Sequence, residues 1–328
     1  MLFRSLDTIA LANLLPAVGV ANNFTRKHAT LVDDFIKKQM AFFEIPGASL
    51  AIIKDGKIIY SQIYGVSNVQ SGVPITEKTL FEAGSITKSV SAFAVMRLVE
   101  RDILKLDQPL YELLPFEEVS HDERYRIITA RHVLCHQSGL PNWGQRDSTG
   151  HFNLLFTPGT GFGYSGEGYE YLKRVIEHIT DKNISQILNE ELLIPLHLTD
   201  FYFKGNEHVK KYSAHGHFDL KPSAIRFIEK PMMAFSLFTE ARAFSNFMLA
   251  LRNKKGLKSD TYDEMLRIQS TREDGVHWGL GFELKNTPFG LSYGHSGSTS
   301  SGFICNFTFF PKPGSRSEER RVGKECRS

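Results

Sequence analysis

Residues 84–100, GSITKSVSAFAVMRLVE, constrain this chain more than any other segment. Val90, Phe93, Ala94, Met96, Leu98 and Val99 spread over most of the circumference of a helix. A helix apolar on nearly every side belongs in a core. At its mouth stands Lys88, one turn from Ser85, and Gly84 just before the serine marks a tight turn. A lysine at the edge of a core helix is costly unless it has a task. Partly stripped of water, it loses its proton more readily and can act as a base at neutral pH, and the Ser85 hydroxyl lies within its reach. The helix N-terminus also favours negative charge developing near Ser85. The S-x-x-K spacing alone is weak, since about one such match arises by chance in a chain this long. Its plain alternative is an N-cap serine followed by a solvated lysine.

The layout around this helix predicts an α+β fold. An amphipathic helix is expected from Asn23 to Phe43, with Leu31, Phe35, Met40 and Phe43 among its apolar positions. Two strand-like runs then flank Asp55-Gly56, the signature of a hairpin with a type I′ turn. From Thr76 to Ser270 helical patterns dominate, and past Val276 strands return in HWGLGFEL, FGLSYGH and GFICNFTFF. Strands from both ends are therefore expected to form one antiparallel sheet flanked by helices, from 22–75 plus 275–313. A mostly helical lobe, 76–274, is inserted between them and carries Ser85, Lys88 and Tyr164, with a cleft where lobe meets sheet.

The 328 residues suffice for one large domain or two smaller ones. A net charge of +3 with no Lys/Arg stripe speaks against a nucleic-acid partner. Residues 314–328, GSRSEERRVGKECRS, read as a non-native tail; they carry five Lys/Arg and three Glu, so the remainder nets +1. On that reading the native chain was cut just before them. Cys326 lies in the tail, and the two remaining cysteines, Cys135 and Cys305, make no disulfide framework. Residues 1–21 read as a signal peptide: Arg4, then the apolar run from Thr8 to Ala21 ending in small residues. Export to the periplasm or beyond follows, or a cytoplasmic protein if that segment is a structural helix. No apolar run is long enough to span a membrane, and the oligomeric state leaves no mark in the sequence.

Two further segments can join Ser85 and Lys88. Tyr164 lies in PGTGFGYSGEGYEYL, a glycine-dense loop before a helix, where backbone can approach a substrate closely. Its hydroxyl is a useful acid or base if nearby positive charge, such as Lys88, lowers its pKa from about 10. His295, Ser296 and Gly297 end a strand in SYGHSGSTSSGF, where glycine signals close approach of a ligand and backbone N–H groups can hold an oxyanion.

GSITK, YSG and HSG, in this order around a helical middle, resemble the motifs of the serine β-lactamase and penicillin-binding-protein superfamily. The similarity is to its class C β-lactamase, DD-peptidase and esterase branch. It runs from roughly Asp34 to Pro313 and includes IPGASLAIIKDGKIIY, LKLDQPLYELLP, HVLCHQSGLP and IPLHLTDFYF. The resemblance implies an α/β sandwich and a serine hydrolase that cleaves small-molecule esters, amides or peptides without metal or organic cofactor. Ser85 is then the nucleophile of an acyl enzyme, Lys88 its activating partner, and Tyr164 the proton shuttle. Gly297 is the fixed glycine of the strand, and the N–H groups of Ser85 and Ser298 form the oxyanion hole. Two positions depart from the family pattern. Gly166 stands where Tyr-x-Asn has asparagine, a substrate-binding position. His295 stands where many members have lysine, and an unperturbed imidazole titrating near pH 6.5 would hold a substrate carboxylate weakly at neutral pH. Both lean towards an esterase, with D-amino-acid peptidase next and efficient β-lactamase last; a non-catalytic penicillin-binding-type module is the different class of answer.

Other patterns carry less. Gly161, Gly163 and Gly166 spell G-x-G-x-x-G, but Pro158 interrupts any preceding strand. His215, His217 and Asp219 resemble a metallo-hydrolase start, with Leu220 where histidine is needed, and His132, Cys135 and His136 also cluster; both sets read as structural.

Overall fold

The computed structural model describes residues 24–310, so the expected leader and tail lie outside the described residues. Helix α1 (Arg26–Phe42) starts at Thr25, whose backbone N–H donates to His28 Nδ1 at 2.9 Å. Val32 and Ile36 carry its buried face, packed on Tyr60 and Tyr64 of the following hairpin, while Phe35 and Met40 lie at the margin of this contact. The hairpin is β1 (Gly47–Lys54) and β2 (Lys57–Asn68). Asp55 and Gly56 turn it with φ of 50° and 75°, the two positive values a type I′ turn needs. β3 (Val73–Pro74) completes a three-stranded antiparallel sheet, β1-β2-β3.

Helix α2 (Thr87–Glu100) forms the centre, as its all-round apolar pattern predicts. Val90, Phe93, Val95 and Met96 are buried to within 1%. Phe93 meets Phe247 and Tyr262 edge-on, and Ser89 Oγ donates to Gly281 O at 2.7 Å. Around it stand α3 (Gly166–Thr180) and α4 (Ala241–Arg252). Buried Glu191 binds Arg97 at 3.2 Å and also Arg101, anchoring the far end of α2. The middle region is not purely helical: β4 (Phe81–Glu82) pairs antiparallel with β5 (Phe238–Thr239), just ahead of the Ser85 turn.

The last strands are β6 (Ser270–Thr271), β7 (His277–Trp278), β8 (Glu283–Thr287), β9 (Gly290–Ser298) and β10 (Ile304–Phe309). They form a second antiparallel sheet in the order β10-β9-β8-β7-β6. The strands of the two ends are thus not hydrogen-bonded into the single sheet expected. Edge strands β1 and β10 both line a groove of about 580 Å³, with α1 and α4 as further walls. Every residue of β1 consequently stays only half-buried. Among the described residues no helix is long and apolar enough to cross a membrane.

Candidate active site

Ser85 occupies a 3₁₀ turn, Gly84–Ile86, that runs directly into α2. The turn needs glycine at 84: φ is +50°, and a Cβ there would press on the Ser298 backbone oxygen at 2.9 Å. Thr87 Oγ1 locks it, donating to Gly84 O at 2.6 Å and accepting from Leu237 N–H at 3.1 Å. Ser85 stays half-buried while its neighbours from Glu82 to Val90 are buried, so its hydroxyl is the accessible point of a rigid turn.

One turn on, Lys88 is 1% exposed. Its Nζ donates to Ser85 Oγ at 3.4 Å and to Ala234 O at 2.9 Å. It also lies 4.8 Å from the Tyr164 ring centre and 5.5 Å from that of Tyr169. Burial pulls its pKa from 10.5 to about 7, against the opposing charge of Glu170. A substantial fraction of Lys88 is therefore neutral at pH 7.

Tyr164 joins this pair, with a difference from expectation. Burial, not the Lys88 charge, dominates its hydroxyl and pushes the pKa up. Ser85 eases that shift, yet no described group stands in full hydrogen-bonding geometry to Tyr164 Oη. Tyr164 is a neutral phenol throughout the physiological range.

His295 on β9 is 4% exposed. Its Nδ1 contacts Ser296 O at 2.6 Å, which assigns the proton to Nδ1 and leaves Nε2 an acceptor. Desolvation first, then the Lys88 charge, lowers its pKa to about 3. Where an unperturbed imidazole titrates near pH 6.5, His295 stays neutral because burial first, and the Lys88 charge second, disfavour its imidazolium. His136, fully buried, is depressed for the same two reasons. Its Nδ1 accepts from Ser165 N–H at 3.2 Å, and its ring lies 4.3 Å from Tyr164 and 4.7 Å from Trp278. Trp278 in turn meets His295 edge-on at 5.2 Å. His136 and Trp278 thus hold Tyr164 and His295 in place. The sequence offered only proximity of His136 to Cys135 and His132, and nothing pointed to Trp278 or to the carbonyl of Ala234.

The glycine of β9 meets the serine turn directly. A Cβ on Gly297 would lie 2.3 Å from Ala83 O, 2.7 Å from Cys305 Sγ and 3.0 Å from Ser85 N. Only a bare backbone lets the strand come this close, bringing Ser298 beside the turn. Gly166 is placed differently from a substrate-facing residue. Its N–H donates to Asn142 Oδ1 at 2.9 Å, and the Trp143 indole covers it, 2.4 Å from where a Cβ would stand.

The remaining candidates have structural tasks. His217 Nε2 accepts from Val69 N–H at 3.2 Å, and His215 Nδ1 contacts Ser223 O at 2.8 Å. Among the described residues no cluster of His, Cys, Asp and Glu could hold a metal ion. Cys135 and Cys305 are free, with thiol pKa values pushed up to about 12 by burial, hence unreactive.

Comparison with known proteins agrees with this architecture. The β-lactamase family pattern matches residues 32–314. "Protein flp" of Staphylococcus aureus (strain MRSA252) is 27% identical over 201 residues, covering 57% of this chain and 40% of its own. "Esterase EstB" of Burkholderia gladioli is 29% identical over 188 residues, covering 49% and 48%. The chain spans less than half the length of these curated relatives. Among solved structures, a class C β-lactamase superposes with a TM-score of 0.76 at 21% identity, covering 88% of this chain and 89% of its own. The octameric penicillin-binding protein homologue from Pyrococcus abyssi gives 0.75 at 24% identity, covering 86% and 71%. With the family pattern running through both sheets and the helices between them, the chain belongs to the β-lactamase family, within the serine hydrolase superfamily.

Proposed function

We propose that the protein is a serine esterase working through an acyl enzyme on Ser85. The observation that carries this reading is the buried Lys88 amine, 3.4 Å from Ser85 Oγ and shifted to a pKa of about 7. A neutral amine there takes the Ser85 proton as Oγ attacks the ester carbonyl carbon. The backbone beside Gly297, where β9 meets the serine turn, faces the oxygen that gains negative charge. Collapse of the tetrahedral adduct breaks the bond to the leaving oxygen. Tyr164, kept protonated by burial, gives its proton to that oxygen and recovers one from the Lys88 ammonium. Water then attacks the acyl carbon with the roles reversed, returning Ser85 and releasing the acid.

Esters are favoured over lactams and peptides for two reasons. The family's asparagine is replaced by Gly166, whose amide is already bonded to Asn142 and whose face lies under Trp143. The family's permanent cation is replaced by a histidine that stays neutral. The 29% identity to a protein named an esterase points the same way. Export through a leader at residues 1–21 and a small-molecule ester as substrate complete the reading.

Mass spectrometry after fluorophosphonate treatment tests it, with Ser85→Ala as control. The expected result is one adduct on Ser85, lost in the variant, with short-chain p-nitrophenyl esters turned over faster than a chromogenic cephalosporin. Equal labelling of the variant removes Ser85 from its role. The reverse substrate order favours a β-lactamase. No adduct and no turnover favours a non-catalytic binding module on the same fold.

A further inference from the structure

Trp143 is an unusual residue for its position. It is bulky, 47% exposed, and held at φ +138°, a backbone region that side-chain-bearing residues rarely adopt. Nothing about a solvent-exposed loop calls for an indole there, and such strain persists where the surroundings enforce it. The surroundings here do. Ser165 Oγ donates to Pro141 O at 2.9 Å, Gly166 N–H to Asn142 Oδ1 at 2.9 Å, and Arg146 Nη1 to Glu167 Oε1 at 3.1 Å. Residues on either side of Trp143 are thus stitched to the start of α3, one to three positions after Tyr164.

The indole is aimed accordingly. Three of its ring atoms would lie within 2.7 Å of a Cβ on Gly166, so glycine at 166 is what admits the ring. Its other neighbour is Phe235, edge-on with ring centres 5.5 Å apart. Phe235 follows Ala234, whose carbonyl holds Lys88 Nζ. Phe235 is itself backed by the Arg226 guanidinium at 5.1 Å, and Arg226 is held by buried Glu82 at 3.4 Å. Two aromatic rings, one exposed and one half-buried, therefore stand as a fixed corner next to both Tyr164 and the Lys88 cradle.

We propose that Trp143 and Phe235 form an aromatic subsite that selects esters bearing a flat apolar group, and that Gly166 is small so that the indole can take this place. The assignment rests on the esterase reading of Ser85. A ring seated in the corner meets one aromatic face and one edge, an arrangement worth a few-fold in selectivity.

Two matched ester pairs locate the selected group. In the acyl arm, p-nitrophenyl phenylacetate is compared with p-nitrophenyl acetate; in the alcohol arm, benzyl acetate is compared with ethyl acetate, followed by pH-stat. The unsubstituted protein is expected to prefer the aryl member in one arm by roughly three- to tenfold in kcat/KM. Trp143→Gly, which also accepts the positive φ, should bring that ratio towards one, whereas Trp143→Phe should keep most of it. Phe235→Leu should lower it in the same arm. The arm that responds identifies the acyl or the alcohol side. If esters are hydrolysed and Ser85 is labelled but both ratios are unmoved by Trp143→Gly, the subsite is refuted and the esterase reading stands. If the unsubstituted protein hydrolyses none of the four esters and Ser85 takes no label, both fall together.

Discussion

On the proposed mechanism Lys88 sets the pH dependence of the reaction, and its environment fixes the direction. The active form is the neutral amine, so kcat/KM should climb as pH rises through about 7 and level off above it. At pH 5, two units below, the neutral fraction is about one hundredth, and p-nitrophenyl acetate hydrolysis should run about a hundredfold below its plateau. An unperturbed lysine would place the same rise near 10.4 and leave the enzyme almost idle at pH 7. The nearby histidines do not offer the same profile, because His295 is lowered to about 3 and His136 lies well below its usual range. Burial is the dominant perturbation of Lys88, and Glu170 opposes it. Its charge holds the Lys88 pKa up against burial, so Glu170→Gln should move the acidic limb to lower pH. Stability gives a second readout. Folding lowers the Lys88 pKa, so the unfolded chain holds this proton more tightly between about 7 and 10.5, and stability should increase with pH across that interval. Lys88→Met should lose that slope together with activity. The assay is a kcat/KM profile from pH 5 to 9 corrected for buffer hydrolysis, with melting curves alongside. A limb unmoved by Glu170→Gln, or moved upward, would refute the assignment of Lys88 as the base.

Two further outcomes are expected. Gly297→Ala sets a methyl 2.3 Å from Ala83 O and 3.0 Å from Ser85 N; rates should fall at least about a hundredfold as the serine turn shifts, with overpacking costing about 1–3 kcal/mol in a thermal melt. Unchanged acylation would mean that β9 does not brace the turn. Because His295 stays neutral down to a pH of about 3, a substrate with a free carboxylate should gain nothing on acidification. The kcat/KM ratio of a succinate monoester to its uncharged counterpart should stay flat from pH 8 to 5, and a several-fold rise near pH 6 would reveal an imidazolium at the site.

The sequence carried those parts of the site that are local or that glycine marks. Ser85 and Lys88 share one helix turn, the Asp55-Gly56 hairpin is written in two residues, and the buried α2 announces itself by its apolar circumference. Tyr164 and His295 could be named from their glycine-rich surroundings, but their protonation could not. That depends on how deeply they are packed beside Lys88, His136 and Trp278, residues up to about two hundred positions away. The Ala234 carbonyl has no side-chain signature at all. Trp143 was hidden for a related reason. Gly166 read as a missing side chain, whereas in three dimensions it makes room for one supplied by another loop. The separation of the two sheets was equally invisible, because alternation identifies strands and says nothing of which edges pair.

The groove between β1 and β10 divides the molecule unevenly. Every group bearing on the chemistry, from the Ser85 turn to Ser298, lies on one side of it, while α1 and the β1–β2 hairpin lie on the other. That outer layer leans on α4, where Ala241 N–H donates to Ser49 Oγ at 3.3 Å. Substitutions there should lower folding stability before they touch turnover, so the hairpin tip at Asp55-Gly56 should accept a tag, a linker or a second module.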